Sequence, residues 1–202
     1  MASDRISPFD RQGMYYLRKR AILREAGQQF ARYGFRSTSL DNIAKSLNLT
    51  KAGLYHYVDT KEQLLFDCYM DSLDAAERCV IDAAKLGTNG LDKLCRYIRS
   101  MFAMFDRPEG FFALLTEISA LGEEHQKALR RKGRVVDHKL RSFIEEGIRD
   151  GSIRQCDPTL IEFAIQGALN WIPKWYSSKG RKDINQIIED YIEFFTDGLR
   201  PR

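Results

Sequence analysis

Apolar residues along this chain recur every three or four positions, and no segment alternates in the steps of two that a half-buried strand requires. Between residues 18 and 33, Ile22, Ala26 and Phe30, with Leu23 and Ala31 beside them, mark the inward face of a helix that stops at Gly34. Leu40, Ile43, Ala44 and Leu47 form a second short face behind Ser39, whose hydroxyl suits a helix N-cap. Thr50 can cap a third helix, Lys51 to Val58, that buries Leu54 and Val58. Thr60 and Gln63 form a capping box for a fourth, from Lys61 to about Leu86. Five more helices are predicted at about 91–105, 111–121, 123–150, 159–176 and 184–198. Their boundaries are marked by Asn89, the breaker Asp106-Arg107-Pro108-Glu109-Gly110, Gly151, Asp157-Pro158 and the Asp183/Gln186 cap pair. The pattern therefore predicts an all-α chain of about nine helices.

The stretch from Thr38 to Leu65 organises the first third. Asn48 sits where a tight turn between two helices demands a left-handed backbone. Two short helices set at a steep angle, the second small-headed and rich in donors, make a helix-turn-helix, and the 18–33 helix packs behind it to complete a three-helix unit. Ala52 and Gly53 allow close approach of the backbone to DNA. Lys51, Tyr55, His56, Tyr57 and Lys61 offer donors to phosphate oxygens or base edges, with Thr38 and Ser39 supporting. The competing reading is a helical corner whose charges simply face water.

The density of the match decides between them. Thr38-Ser39, Ile43-Ala44, Thr50-Lys51, Leu54-Tyr55-His56-Tyr57 and Lys61-Glu62 with Leu64-Leu65 resemble the TetR family of bacterial transcriptional regulators. Asn48 stands where a Gly is usual in that family, and Gly53 where Thr or Ser often donates to a base or phosphate. The resemblance implies a helix-turn-helix DNA-binding domain followed by a helical-bundle domain for ligand binding and dimerisation. The expected division is a basic arm at 1–17, the DNA-binding domain at 18–65 and the remainder at 66–202.

Charge agrees with that division. Residues 1–61 carry eleven Lys/Arg against five Asp/Glu, while the rest carries 21 against 23, so the basic excess lies on the segment expected to meet a polyanion. No apolar run approaches a membrane span and the N-terminus lacks a signal-peptide core, which points to the cytoplasm. Cys68, Cys79, Cys95 and Cys156 show no CxxC spacing and read as reduced thiols. His56, His125 and His138 share no metal-binding spacing, so neither a metal nor another cofactor is expected.

Two features of the second part bear on function. The 159–176 segment is apolar nearly all round, and the 184–198 segment carries Ile184, Ile188, Tyr191 and Phe195 in a wide stripe. Such surplus surface fits a four-helix bundle formed with a second copy, as the last two long helices of TetR-like proteins form it. Phe102, Phe105, Phe112 and Leu115, with Trp171 and Trp175, supply soft and aromatic surface for an apolar ligand cavity, although an ordinary core would use the same residues. Gln166 and Asn170 are amides one turn apart on an apolar helix and need polar partners. The basic residues Arg130-Arg131-Lys132, Arg134, Lys139 and Arg141, with Lys174, can hold phosphates at a pocket mouth. The stretch from Asn170 to Tyr176 followed by Gly180 resembles a TetR branch that senses acyl-CoA thioesters and represses fatty-acid, steroid and aromatic-acid degradation. The expected function is a dimeric repressor released from operator DNA by a small apolar effector such as an acyl-CoA. The alternatives are a regulator of an efflux or stress gene answering a different hydrophobic ligand, or a helical-bundle enzyme. No Ser/His/Asp set, metal-spaced carboxylate pair or Gly-rich phosphate loop supports the enzyme.

Overall fold

The computed structural model describes residues 11–104, 115–177 and 180–201. These form eight α-helices and one 3-10 helix, with no strand among the described residues. The helices are α1 (Arg11–Tyr33), α2 (Leu40–Ser46), α3 (Lys51–Tyr55), α4 (Lys61–Leu86), α5 (Gly90–Ala103), α6 (Glu123–Asp150), α7 (Pro158–Trp175) and α8 (Ile184–Leu199). The 3-10 helix Leu115–Ala120 occupies part of the segment expected as a ninth α-helix at 111–121; residues 111–114 lie outside the described residues.

The polar caps read from the sequence are made. Ser39 accepts from Asn42 N, Thr50 from Gly53 N, Thr60 from Gln63 N, Asn89 from Asp92 N and Asp183 from Gln186 N. Each satisfies an N–H that the helix itself leaves unpaired. Asn48 turns the chain between α2 and α3 at φ 54°, and Gly151 ends α6 at φ 80°. One boundary differs. α1 begins at Arg11, so residues 11–17, expected within the arm, are helical. A single Gly13 costs a helix only about 1 kcal/mol, and Tyr15 stacks on Tyr57 at 4.9 Å between ring centroids, a tertiary contact that sequence pattern cannot show. Residues 1–10 of the expected arm lie outside the described residues.

Two apolar cores run along the molecule. The first gathers Ile22, Ala26 and Phe30 of α1, Ile43 and Ala44 of α2, Leu54 of α3 and Val58 around Leu64, Leu65, Cys68, Tyr69 and Leu73 of α4. Burying one such large side chain stabilises by about 1.5–3 kcal/mol. The second core takes the far end of α4 (Ala76, Val80, Ala83) with α5, α6, α7 and α8. α6 also enters both cores: Leu129 joins the first, and Val136, Leu140, Phe143 and Ile144 the second. α5 and α6 approach at Gly90 and Gly147. A Cβ on Gly90 would stand 2.1 Å from Gly147 N and 2.3 Å from Phe143 O. Asp150 locks that corner, its carboxylate accepting from Gly90 N at 2.9 Å and Ser152 N at 2.8 Å.

Candidate functional site

The small first unit presents α3 to solvent. Lys51, Ala52, Tyr55 and His56 are exposed and Gly53 and Tyr57 are half-buried, while Leu54 anchors the helix underneath. α3 ends at Tyr55, so His56 and Tyr57 stand on the turn that follows it rather than on a helix reaching Val58. Gly53 has a local reason. A Cβ there would sit 3.1 Å from Thr50 Oγ1, crowding the hydroxyl that caps the helix. Lys51 Nζ pairs with Asp41 Oδ1 at 3.1 Å, but the two side chains are 63% and 51% exposed, so water screens the pair and the ammonium can turn to a phosphate.

Two of the residues expected to touch DNA are used inside the protein. Thr38 is buried, and its hydroxyl lies within hydrogen-bonding reach of Gly34 O at 2.9 Å and Gln29 O at 3.2 Å, which ties the end of α1 to the start of α2. Lys61 Nζ donates to Phe35 O and to Thr38 O, each at 2.9 Å, lies 3.5 Å from Arg36 O and stands 4.4 Å over the Phe35 ring. That ammonium clamps the connection between α1 and α2. Ser39 is the N-cap of α2. The donors left facing outward are Lys51, Tyr55, His56 and the edge of Tyr57.

A cavity of about 310 Å³ opens between α4, α5, α6 and α7. Ser72, Leu73 and Ala76 form one wall, Tyr97 and Met101 a second, Arg130, Gly133, Arg134, Val136 and Asp137 a third, and Gln166 and Asn170 a fourth, with Ile118 and Leu129 closing it. The two amides expected at a ligand site are thus together in it. Tyr97 Oη donates to Gln166 Oε1 at 3.1 Å, and burial holds that phenol far above its ordinary pKa. Asp137 was not anticipated. Burial raises its carboxyl pKa, while Arg141 and a hydrogen bond from Gln166 oppose the rise. Its position was readable in retrospect, because Asp137 shares the inward phase of Gly133, Val136 and Leu140 on α6.

Other expected ligand residues are elsewhere. Trp171 and Trp175 are 58% and 44% exposed and do not line the cavity. Phe102 is fully buried with its ring 5.3 Å from that of Tyr191, in the core between α5 and α8. Phe105 and Phe112, and the side chains of Leu115 and Lys174, lie outside the described residues. Of the basic run on α6, Lys132 is paired to Asp74 at 2.7 Å and to Glu77, and Arg141 reaches Glu162 Oε2 at 3.3 Å through Nε and Nη2, so Arg130 and Arg134 are the ones at the cavity.

The residues expected at a dimer interface are also placed differently. Ile184 and Ile188 are 2% and 5% exposed within the chain's own core, and Tyr191 and Phe195 pack half-buried against it. The unpartnered apolar surface lies mainly on α7, where Leu160, Phe163, Trp171 and Trp175 recur at helical spacing, with Phe194 of α8 exposed at 74%. A stripe of large apolar side chains left open to water is what an interface requires. No helix among the described residues is long and apolar enough to cross a membrane, and no group of three His, Cys, Asp or Glu among them can hold a metal.

A short exposed helix held by a capped turn above a three-helix core, joined to a larger helical body with an internal cavity, defines an effector-binding DNA-binding regulator. Residues 22–68 match the family model for bacterial regulatory proteins of the tetR family, and residues 87–199 that for the tetracyclin repressor-like C-terminal domain. The chain belongs to the TetR family, whose members are DNA-binding transcriptional regulators rather than enzymes. Among solved structures it is similar to AibR in complex with isovaleryl coenzyme A and operator DNA, at 29% identity and a TM-score of 0.75, covering 88% of this chain and 97% of that one. The ketosteroid transcriptional regulator KstR2 of Mycobacterium tuberculosis shares the fold, with a TM-score of 0.80 at 20% identity over 92% and 96% of the two chains. The negative transcriptional regulator IcaR of the biofilm operon icaADBC from Staphylococcus epidermidis is 27% identical over 186 residues, 89% of this chain and 93% of its own.

Proposed function

We propose that the chain is a homodimeric repressor released from its operator by an acyl-CoA thioester, with residues 18–65 as the DNA-binding part and 66–202 as the effector and dimer part. The observation that carries the effector reading is the cavity: apolar walls, two amides inside and two arginines at its edge. An acyl group suits the walls, the thioester and pantetheine amides suit Gln166 and Asn170, and phosphates suit Arg130 and Arg134. The similarity to AibR, whose structure holds isovaleryl coenzyme A and operator DNA, supports the same class of ligand. Genes for degradation of the corresponding acids are the regulated set that follows from such an effector.

Dimerisation through the α7 stripe and Phe194 sets two α3 helices to face one duplex, about 34–36 Å apart in successive major grooves. Lys51 and Tyr55 then contact phosphates or a base edge, a good bidentate base contact being worth roughly 1–3 kcal/mol of discrimination. Release follows if the thioester binds the non-DNA conformation better. A tenfold loss of operator affinity needs about 1.4 kcal/mol of such coupling. The test is calorimetry of fatty-acyl, aromatic and steroid-derived CoA thioesters with and without operator duplex. Reciprocal coupling requires the duplex to weaken thioester binding by the factor by which thioester weakens duplex binding. Micromolar binding of a free acid or an organic cation, with none of any thioester, discards the thioester and leaves the regulator.

A further inference from the structure

The cavity lining is richer in acceptors than an acyl chain needs. Gln166 Oε1 is occupied by the Tyr97 phenol, 3.1 Å away. Asp137 looks into the cavity from α6, between Gly133 and Leu140 in helical phase. The cation beside it is committed elsewhere: Arg141, one turn further along α6, directs Nε and Nη2 to Glu162 Oε2, both at 3.3 Å, and Glu162 is only 1% exposed. One guanidinium thus serves two carboxylates, and the better geometry goes to Glu162. Asp137 accepts from the Gln166 amide, and its carboxylate keeps acceptor capacity toward a largely apolar space, where burial disfavours its charged form. Arg130 and Arg134, both exposed, supply positive charge on the cavity's solvent side. The cavity thus carries its positive charge on exposed side chains and its carboxylate on a half-buried one.

We propose that the end of the effector entering this cavity carries a hydrogen-bond donor, a hydroxyl or an ammonium, which Asp137 receives. The proposal rests on the reading of the cavity as the effector site and adds the chemistry of the buried end. A donor there gives the Asp137 carboxylate a second partner beside Gln166 and fixes the ligand's orientation, anionic end toward the arginines and donor end toward Asp137. A purely hydrocarbon end desolvates the carboxylate further and gives nothing back. At about 310 Å³ the cavity is at the low end of the ~300–1,000 Å³ typical of small-molecule sites, which suits a short or single-ring group.

The experiment uses pairs in which a methyl replaces the hydroxyl at constant shape. Calorimetry of the full-length protein compares 4-hydroxybenzoyl-CoA with 4-methylbenzoyl-CoA, and 4-hydroxybutyryl-CoA with valeryl-CoA. Thermal shift compares p-cresol with p-xylene, a pair free of CoA. The expected result is binding of each hydroxyl member at least tenfold tighter than its methyl partner. Asp137→Leu abolishes that preference and raises affinity for the methyl members, and Asp137→Asn retains part of it. Each variant is first shown to melt cooperatively. Methyl members that bind as well as their partners, or a preference that survives Asp137→Leu, overturn the proposal. If p-cresol stabilises and p-xylene does not while no thioester binds, the donor stands and the thioester reading falls. If thioesters bind and release the operator without regard to the hydroxyl, the reverse holds. Silence from all six compounds removes both.

Discussion

Lys61→Met removes an ammonium and leaves most of the stem that lies along Phe35. The ammonium makes two good bonds, to Phe35 O and Thr38 O at 2.9 Å, and sits 4.4 Å from the Phe35 ring centroid. Hydrogen bonds from charged groups contribute about 1.5–3 kcal/mol each when buried. Lys61 is half-buried and water can replace it at the carbonyls, so about 1–2 kcal/mol for the two together is the reasonable sum, with about 0.5 kcal/mol from the ring. The variant is expected to lose roughly 2 kcal/mol, or about 4–8 °C in a chain of this size. Denaturant and thermal unfolding measure that loss; operator titrations from 50 to 200 mM salt measure the rest. A clamp inside the protein alters no phosphate contact, so the plots of log affinity against log salt stay parallel, with affinity down less than about tenfold throughout. A phosphate contact behaves otherwise, since each one lost lowers the salt slope by about 0.9. Unchanged stability with a slope reduced by that amount per subunit refutes the clamp and returns Lys61 to the DNA surface.

Phe163→Glu with Trp171→Glu places charge on the open α7 stripe and is expected to give folded monomers by light scattering, whereas Ile188→Glu, inside the core, is expected to unfold the chain. A dimer that survives the α7 pair removes that stripe from the interface. Gly90→Ala drives a methyl into the α6 backbone 2.1–2.3 Å away and is expected to cost about 3 kcal/mol in urea unfolding, the upper end of overpacking; a change below 1 kcal/mol would show that α5 and α6 separate freely. Asp150→Ala deprives Gly90 N and Ser152 N of their acceptor and is expected to cost about 1 kcal/mol near neutral pH. The Ser152 and Gly90 bonds hold the Asp150 pKa below its ordinary value, so this contribution is complete above the unfolded carboxylate pKa near 3.9 and disappears as pH falls through the folded one. The gap between wild type and variant should therefore be full above about pH 5 and closed in strong acid.

Helix edges were legible because capping is local chemistry. Ser39, Thr50, Thr60, Asn89, Asp157 and Asp183 each sit a few residues from the N–H they satisfy, so sequence spacing contains the whole interaction. The cavity was legible in part for a related reason: Gln166 and Asn170 interrupt an apolar face, and an interruption has a phase. What escaped is what depends on partners distant in sequence. Lys61 meets carbonyls 23 and 26 residues away, which no local pattern contains, so its charge reads as a surface charge. On α8 the stripe of Ile184, Ile188, Tyr191 and Phe195 is real, but periodicity gives the face and not its neighbour; the neighbour is the chain's own α5. Trp171 and Trp175 were misread for the opposite reason. Aromatic bulk suggests interior, yet a helix apolar on several sides must leave one side open when its own bundle covers only part of it.

The coupling that the proposed function requires has a physical basis in two helices rather than one. α4 contributes to both cores, and so does α6, whose start is fastened to the start of α4. Glu62 Oε1 accepts from Gly122 N at 2.7 Å, the His125 ring stacks on Phe66 with centroids 4.2 Å apart, and Lys132 is paired to Asp74 and Glu77 two to three turns further along. The cavity lies between those same helices, beyond the fastened end, with Leu73 and Ala76 on one side and Gly133 and Asp137 on the other. A ligand that spreads α4 from α6 at the cavity must either break the Glu62 and His125 contacts or carry them along, and the second course turns the helix on whose first turn the α1–α2 clamp depends. Close-packed interfaces of this kind have few intermediate arrangements, so the proposed release requires a small displacement at the cavity to become a discrete change in the position of α3. The roughly 1.4 kcal/mol needed for a tenfold release is less than burial of one large apolar side chain, so the proposed effector releases the operator if it buries that much more apolar surface in the non-DNA arrangement than in the DNA-bound one.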